Sequence, residues 1–185
     1  MSDILVLTGS PRKNGNTRML ASAFTEGAEA AGLDVQVIHT AELKIAPCQG
    51  CGYCQEHEGI CIQRDDMAQI MPHLYSARTI VFATPVYYYA MTAQLKLALD
   101  RMYATLAKPP TIDSCILLAV YGDTDTTVPE ALIHNYKVFT GYSGWKDLGI
   151  VTAEGVNDAG DIAGHPALDK ARALGRSLQS FFHKS

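Results

Sequence analysis

The stretch ILVLTGSPRKNGNT, residues 4–17, passes from a continuous apolar run through a loop of small polar residues into a helical pattern. The run from Ile4 to Thr8 is typical of a strand buried on both faces of a parallel sheet. Apolar residues at helical spacing then predict a helix from Asn16 to Ala31 that closes at Gly32. A strand, a short loop and a helix in this order indicate the first unit of an α/β fold.

The same alternation continues along the chain. It predicts further strands at Val35 to His39, Thr79 to Thr84, Cys115 to Tyr121 and Leu148 to Thr152, and further helices at Asp66 to Tyr75, Thr92 to Ala107, Val128 to Tyr142 and Pro166 to Phe182. Right-handed crossovers favour a flavodoxin-like three-layer fold, with helices on both faces of a five-stranded parallel sheet of order 2-1-3-4-5, or half of a dinucleotide-binding sheet. With 185 residues, 48% of them apolar, we expect residues 1–185 to form a single domain.

The charge balance narrows the range of partners. Fifteen basic and 19 acidic residues give a net charge of −4, which offers neither a basic face for nucleic acid nor a polybasic tail for anionic lipid. The N-terminus lacks the basic region of a signal peptide, and no apolar run approaches the roughly 20 residues that span a bilayer. We therefore expect a cytoplasmic protein, with no membrane or nucleic acid partner, that acts on small molecules or other proteins.

The loop after the first strand has the composition of a phosphate site. Its glycines and small polar residues allow backbone N–H groups to face an anion at the helix N-terminus, where Ser10, Asn16 and Thr17 add donors and Arg12 adds charge. A nucleoside-triphosphate P-loop is excluded because five residues separate Gly9 from Gly15 and Asn16 stands in place of the lysine. The alternative is an ordinary strand-to-helix loop with a serine or asparagine cap.

The loops after the third and fourth strands would lie beside this phosphate site. ATPVYYYAMT, residues 83–92, contains Pro85, which stiffens the turn, and three consecutive tyrosines, which neither a core strand nor a helix can bury on one face. A planar ligand or a subunit interface would use such rings. Gly122, after Tyr121, would permit close backbone approach to that ligand.

Together, GSPRKNGNT (residues 9–17) and ATPVYYYAMTAQLKLALDR (residues 83–101) resemble the NADPH-dependent FMN reductase branch of the flavodoxin superfamily. The resemblance spans roughly the first 105 residues. It implies FMN as cofactor, with the phosphate bound by Ser10, Arg12, Asn16 and Thr17, and the isoalloxazine lined by Pro85, Val86, Tyr87 and Tyr88. Tyr121 and Gly122 fall where members of this family often complete the flavin site. The resemblance also implies a homodimer or homotetramer.

Four of the five cysteines follow the pattern Cys48-x2-Cys51-x2-Cys54-x6-Cys61 in a loop from Pro47 to Arg64. Such spacing lets thiolates surround one centre, as in bacterial ferredoxins. Here the chain resembles the iron-sulfur flavoproteins, which implies that the four cysteines bind a [4Fe-4S] cluster. The alternatives are a zinc site with His57 as a substitute ligand, a redox disulfide, or thiols without metal.

These resemblances imply an enzyme that takes hydride from NADH or NADPH onto FMN and passes single electrons to the cluster, then to a small-molecule or protein acceptor. One alternative is an FMN-dependent NAD(P)H quinone or nitro reductase without a cluster. Another is a flavodoxin-type electron carrier, against which the modest net charge of −4 argues, since such a carrier would present a strongly acidic face.

Overall fold

The structure is a computed structural model that describes residues 2–183. Within these residues, five parallel strands form one sheet of order β2-β1-β3-β4-β5, which confirms the predicted fold class. The strands are β1 (Ile4–Thr8), β2 (Val35–His39), β3 (Thr79–Pro85), β4 (Ser114–Val120) and β5 (Lys146–Ala153). The first two have the predicted bounds, and the others differ from prediction by one or two residues at their ends.

The helices cover both faces of the sheet. They are α1 (Asn16–Ala30), α2 (Tyr53–Glu56), α3 (Met71–Leu74), α4 (Ala93–Arg101), α5 (Glu130–Tyr142), α6 (Pro166–Ser177) and α7 (Gln179–Phe182). Alternate residues of the central strands point into two separate cores, as a strand period of two requires. Ile4 and Val6 pack with α1 and α6, whereas Leu5 and Leu7 pack with the α3, α4 and α5 side.

Several predicted helices are shorter than their sequence patterns or are divided. The helix predicted from Pro166 to Phe182 divides at Leu178 into α6 and α7, and α5 begins at Glu130, two residues later than predicted.

The segment predicted as one helix from Asp66 to Tyr75 divides into a 3-10 helix, Asp66–Gln69, and the separate α3. Pro72 is the cause, because it has no N–H to donate and is tolerated only in the first turn of a helix. Thr92 caps α4 as predicted, its side chain accepting from the Leu95 N–H, but beyond Arg101 the chain tightens into a 3-10 helix, Met102–Leu106.

In the described part of the chain, no helix has both the length and the hydropathy needed to cross a bilayer.

Backbone pairing continues past the carboxyl ends of the strands and holds the connecting loops side by side. The Gly9 N–H donates to the Ala83 carbonyl at 2.8 Å, and the Val86 N–H donates to the Val120 carbonyl at 2.9 Å. On the far side, the Tyr121 N–H donates to the Ala153 carbonyl at 3.0 Å. The loops after β1, β3, β4 and β5 therefore share one edge of the sheet, where ligands bind in folds of this type.

Helices α1 and α6 approach each other so closely that glycine is required on both. A Cβ atom at Gly27 would overlap the backbone carbonyl of Arg172, and one at Gly175 would overlap that of Phe24. Backbone atoms cannot move aside as a flexible side chain can, so a larger residue would push the helices apart. Because α1 begins directly after the loop that follows β1, this contact also fixes the helix to which that loop leads.

We predict that Gly27→Ala and Gly175→Ala each lower the free energy of unfolding by about 1–3 kcal/mol through overpacking. Gly141→Ala is the matched control: it also lies in a helix, α5, but has nothing within 4 Å of the added Cβ. The control should be neutral or stabilise by up to about 1 kcal/mol through helix propensity. Urea denaturation measures all three, and equal effects would show that the helix contact is not the cause.

Candidate functional site

The N-terminus of α1 presents unpaired backbone donors to the loop that precedes it. Gly15 occupies the N-cap position and makes no side-chain cap, so the N–H groups of Asn16 and Thr17 have no partner within the helix. Ser10 and Thr17 beside them are 3% and 1% exposed. The Ser10 hydroxyl oxygen accepts from the Arg12 N–H at 3.3 Å and keeps its own hydrogen for a ligand. This end of the site has the donors that an anion requires.

Helix α4 fixes this loop from the opposite side. The Thr92 hydroxyl donates to the Gly9 carbonyl at 2.8 Å, while the Thr92 N–H donates to the Thr84 hydroxyl at 3.1 Å. A Cβ atom at Gly9 would overlap that Thr92 hydroxyl. The first residue of the loop is therefore locked between β3 and α4.

A pocket of about 260 Å³ joins the anion-binding end to the loops after β3, β4 and β5. Nine of the ten residues predicted for the cofactor line it: Ser10, Arg12, Asn16, Thr17, Pro85, Val86, Tyr87, Tyr121 and Gly122. At Gly122 an added Cβ would lie 3.1 Å from the side-chain oxygen of Asn157, so a larger residue would narrow the pocket there. The structure thus brings the three predicted loops together.

Tyr88 does not line the pocket. It is 100% exposed, at the tip of a hairpin in which Tyr87 and Ala90 exchange backbone hydrogen bonds of 2.9 and 3.0 Å. Such a two-residue turn requires positive φ at both central positions, and Tyr88 and Tyr89 have φ of 47° and 62°. This conformation costs a side-chain-bearing residue roughly 1–2 kcal/mol. The turn directs Tyr88 to solvent, so within one chain it lies away from the predicted cofactor.

The side chain of Asn16 is occupied within the protein. Its amide donates to the Asp158 carbonyl at 2.8 Å, and its oxygen accepts from the N–H groups of Gly160 and Ile162 at 3.0 and 3.3 Å. One amide hydrogen and the amide oxygen of Asn16 therefore hold the loop after β5 in place, while its backbone N–H lies free at the N-terminus of α1. That Asn16 binds phosphate stays a prediction.

The loop after β5 forms a wall of the pocket that no sequence motif predicts. Val156 and Asn157 line the pocket, and the Asn157 carbonyl accepts from the Arg12 guanidinium at 2.6 Å. The Asp161 carboxylate orders the loop by accepting from the N–H groups of Asn157 and Asp158 at 3.0 and 2.7 Å. The run VNDAGD carries only turn-forming residues as a signal, and these do not distinguish a binding loop from a connection.

Two acids near the pocket are used in a turn. Asp125 accepts from the N–H and hydroxyl of Thr127, both at 2.9 Å, and Asp123 accepts from the Asp125 N–H. Burial, followed by the charges of Glu154, Asp125 and Asp123, raises the pKa of Tyr121. The Tyr121 phenol therefore stays protonated at neutral pH.

The cysteine loop carries four free thiols. Cys48 and Cys51 are exposed, and Cys54 and Cys61 are partly buried. Gly50, Gly52 and Gly59 have φ between 63° and 80°, which the tight backbone of this loop requires. Four uncrosslinked thiols within 14 residues suit iron-sulfur chemistry.

The thiols are not gathered around one point. Cys48 lines a groove with Asp100 and Tyr103, whereas Cys61 lines a different cavity with Met67, Tyr75 and Arg101. Among residues 2–183, no three His, Cys, Asp or Glu side chains form a group that could hold a metal ion. The donors fit a cluster by their chemistry, but the site is not preformed.

The sheet order is that of a flavodoxin-like fold, and a pocket lies at the carboxyl ends of its strands, beside the N-terminus of α1. Residues 2–154 match the family of NADPH-dependent FMN reductases, and the chain belongs to that family. The match extends beyond the roughly 105 residues in which the two sequence motifs lie.

Two relatives represent two kinds of similarity. An iron-sulfur flavoprotein of Archaeoglobus fulgidus is 40% identical over 96 residues, which are 52% of this chain and 43% of that protein. A Bacillus subtilis protein named as an NAD(P)H-dependent FMN-containing oxidoreductase, YwqN, is 30% identical over 180 residues, 92% of this chain and 95% of that protein. The chain spans about half the length of the first iron-sulfur flavoproteins that it matches.

Solved structures agree on the fold. An NAD(P)H:quinone oxidoreductase from Methanothermobacter marburgensis superposes with a TM-score of 0.76 at 21% identity, over 95% of this chain and 94% of that one. A Trp repressor binding protein from Bacillus subtilis has a TM-score of 0.69 at 27% identity, over 92% of this chain and 96% of that one.

We predict that Asn16→Ala releases the loop after β5. The amides of Gly160 and Ile162 should exchange with solvent about tenfold faster or more, because each loses its acceptor. Hydrogen exchange with mass spectrometry measures this, and Asn14→Ala, an exposed neighbour in the same loop, is the control. Unchanged exchange at residues 160 and 162 would show that the Asn16 side chain does not hold the loop after β5 in place.

Proposed function

We propose that the protein is an FMN-dependent NAD(P)H oxidoreductase. The observation that carries this proposal is that one pocket joins the N-terminus of α1 to two other loops. The loop after β3 contributes Pro85, Val86 and Tyr87, and the loop after β4 contributes Tyr121 and Gly122. Membership of the NADPH-dependent FMN reductase family supports it, as does the name of the B. subtilis relative. We propose residues 1–185 as one FMN-binding domain, with the cysteine loop at 47–64 as its insertion.

The phosphate would be held by neutral donors and one cation. The N–H groups of Asn16 and Thr17 and the hydroxyls of Ser10 and Thr17 supply the donors. The Arg12 guanidinium supplies charge, and its hydrogen bond to the Asn157 carbonyl holds it at the rim of the pocket. Because no acidic residue occupies the first turn of α1, the positive end of the helix dipole is left for the anion.

Bound FMN would accept hydride from reduced nicotinamide and donate electrons to the next acceptor. Hydride transfer needs no general acid or base, and the chain contributes binding and orientation. Pro85, Val86, Tyr87 and Gly122 line the pocket and would hold the ring, with Gly122 permitting close backbone approach and Val86 and Tyr87 supplying apolar surface. The protonated Tyr121 phenol can donate a hydrogen bond at this end of the pocket.

The electron acceptor is proposed to be a small molecule or a protein, and the assembly a homodimer or homotetramer. The exposed tyrosines support an interface, since Tyr88 and Tyr89 are 100% and 61% exposed in the single chain. A subunit interface at this hairpin would cover Tyr88 and Tyr89, the two residues in left-handed conformation.

We predict that the purified protein is yellow or takes up added FMN, and that Ser10→Ala and Thr17→Val each weaken FMN binding. Loss of a hydrogen bond to a charged group costs about 1.5–3 kcal/mol, which is roughly tenfold to 150-fold in Kd. Fluorescence titration of the FMN-free protein gives Kd, with Ser22→Ala, exposed on the same helix, as the control. Failure to bind FMN in excess, or to oxidise either NADH or NADPH with a quinone acceptor, would contradict the proposal.

We further propose that Cys48, Cys51, Cys54 and Cys61 bind a [4Fe-4S] cluster that receives electrons from the flavin. The four free thiols and the relatives named iron-sulfur flavoproteins support this. Metal binding to a site that is not preformed orders the loop as it binds. The separation of the thiols in the structure favours the second candidate, an NAD(P)H quinone or nitro reductase without a metal cluster.

Metal analysis distinguishes these two candidates. Protein purified without oxygen should contain about four iron and four sulfide per chain, and Cys54→Ser should lose them. Cys115→Ala is the matched control, because Cys115 is fully buried in β4, away from the loop. If the protein contains flavin but neither iron nor sulfide, the cluster proposal fails and the reductase without a metal cluster is the function supported. Zinc in place of iron would indicate that the thiolates form a zinc site.

A further inference from the structure

Arg101 is a buried cation that the FMN pocket does not use. It ends α4 and is 3% exposed. One guanidinium nitrogen donates to the Ala46 carbonyl at 2.9 Å and to an Asp65 oxygen at 2.6 Å. The other donates to the second Asp65 oxygen at 3.2 Å and contacts the Cys61 sulfur at 3.4 Å. A single side chain from α4 thus touches the beginning and the end of the cysteine loop.

Asp65 extends the same contact to the backbone. Its carboxylate accepts from the Ala46 N–H at 3.0 Å and from the Met67 N–H at 3.1 Å, besides pairing with Arg101. Burial opposes its ionisation, but the hydrogen bonds from Arg101, Ala46 and Met67 outweigh burial and keep the pKa of Asp65 below its usual range. Residue 46, two positions before Cys48, is thereby tied to the residues that follow Cys61.

Cys61 differs from the other three thiols in this respect. Its sulfur is held by a charged group from a separate helix, whereas the partly buried Cys54 contacts the side chain of its own neighbour, Gln55, at 3.5 Å. Cys48 and Cys51 are exposed. One position of the loop is therefore fixed before any metal binds.

We propose that Arg101 is a positioning residue that closes the base of the cysteine loop and holds the Cys61 sulfur in place for metal ligation. That Arg101 holds Cys61 for metal ligation rests on the cluster proposed above, whereas its closing of the loop does not depend on any metal. Arginine is required because its planar fork reaches two oxygens of one carboxylate, a carbonyl and a sulfur at once, which the point charge of a lysine cannot do.

The first test uses the protein freed of metal and needs no cluster. In Arg101→Met and Arg101→Lys, Asp65 loses its fixed partner, and the amides of Ala46 and Met67 should exchange about tenfold faster or more. Amides in the sheet should keep their wild-type rates. Arg78→Met is the matched control, since it removes an arginine–aspartate pair, with Asp113, that is more exposed and distant from the loop.

The second test measures iron and sulfide per chain after purification without oxygen. Both Arg101 variants should retain less than about a tenth of the wild-type content, with FMN affinity unchanged, whereas Arg78→Met should retain all of it. If the wild type itself holds no iron, the cluster proposal fails while the exchange measurement still decides whether Arg101 closes the loop. Unchanged exchange at residues 46 and 67, or equal acceleration of all amides, would overturn the role of Arg101.

Discussion

The first N–H groups of α1 have no acceptor inside the helix, and much of the structure is arranged around these groups. The loop before them is fixed by Thr92 from α4 and is covered by the loop after β5 through Asn16. Helix α1 itself is held against α6 by two glycines that allow backbone contact. An anion at this position would complete a set of hydrogen bonds that the protein alone leaves open, and for this reason we propose the cofactor site at this edge of the sheet.

The sequence predicted the features that depend on local patterns. Strand β1 is buried along its whole length and carries a continuous apolar run, so its bounds followed from the sequence pattern. Strand β2, at the edge of the sheet, is half-buried and includes Gln36 and His39, yet its β-branched residues gave the same bounds. The family resemblance indicated which residues of the β1, β3 and β4 loops to expect at a ligand site, and topology predicted that these loops meet, because parallel strands bring their carboxyl ends to one edge. These predictions required no knowledge of side-chain packing.

The missed features depend on contacts between distant residues. Asn16 bonds to a loop more than 140 positions away, and no short-range pattern marks that loop as part of the site. For Tyr88 the reason is local: the two-residue turn at Tyr88 and Tyr89 directs its side chain to solvent, away from the pocket of its own chain, and aromatic character alone does not reveal that direction. Likewise, the spacing of the four cysteines indicates which sulfur atoms could bind a metal. It does not show whether these atoms lie close together in the protein without metal.

Helix α4 links the two proposed binding sites, with Thr92 at the loop that precedes α1 and Arg101 at the cysteine loop. Each helical residue adds about 1.5 Å and about 100° of rotation. Inserting or deleting one residue between these two positions would therefore turn the guanidinium away from Asp65 while leaving both anchors chemically intact. The length of this short helix sets the distance and the rotation between the two sites. The helix should therefore tolerate substitutions on its exposed face but not the insertion or deletion of a residue.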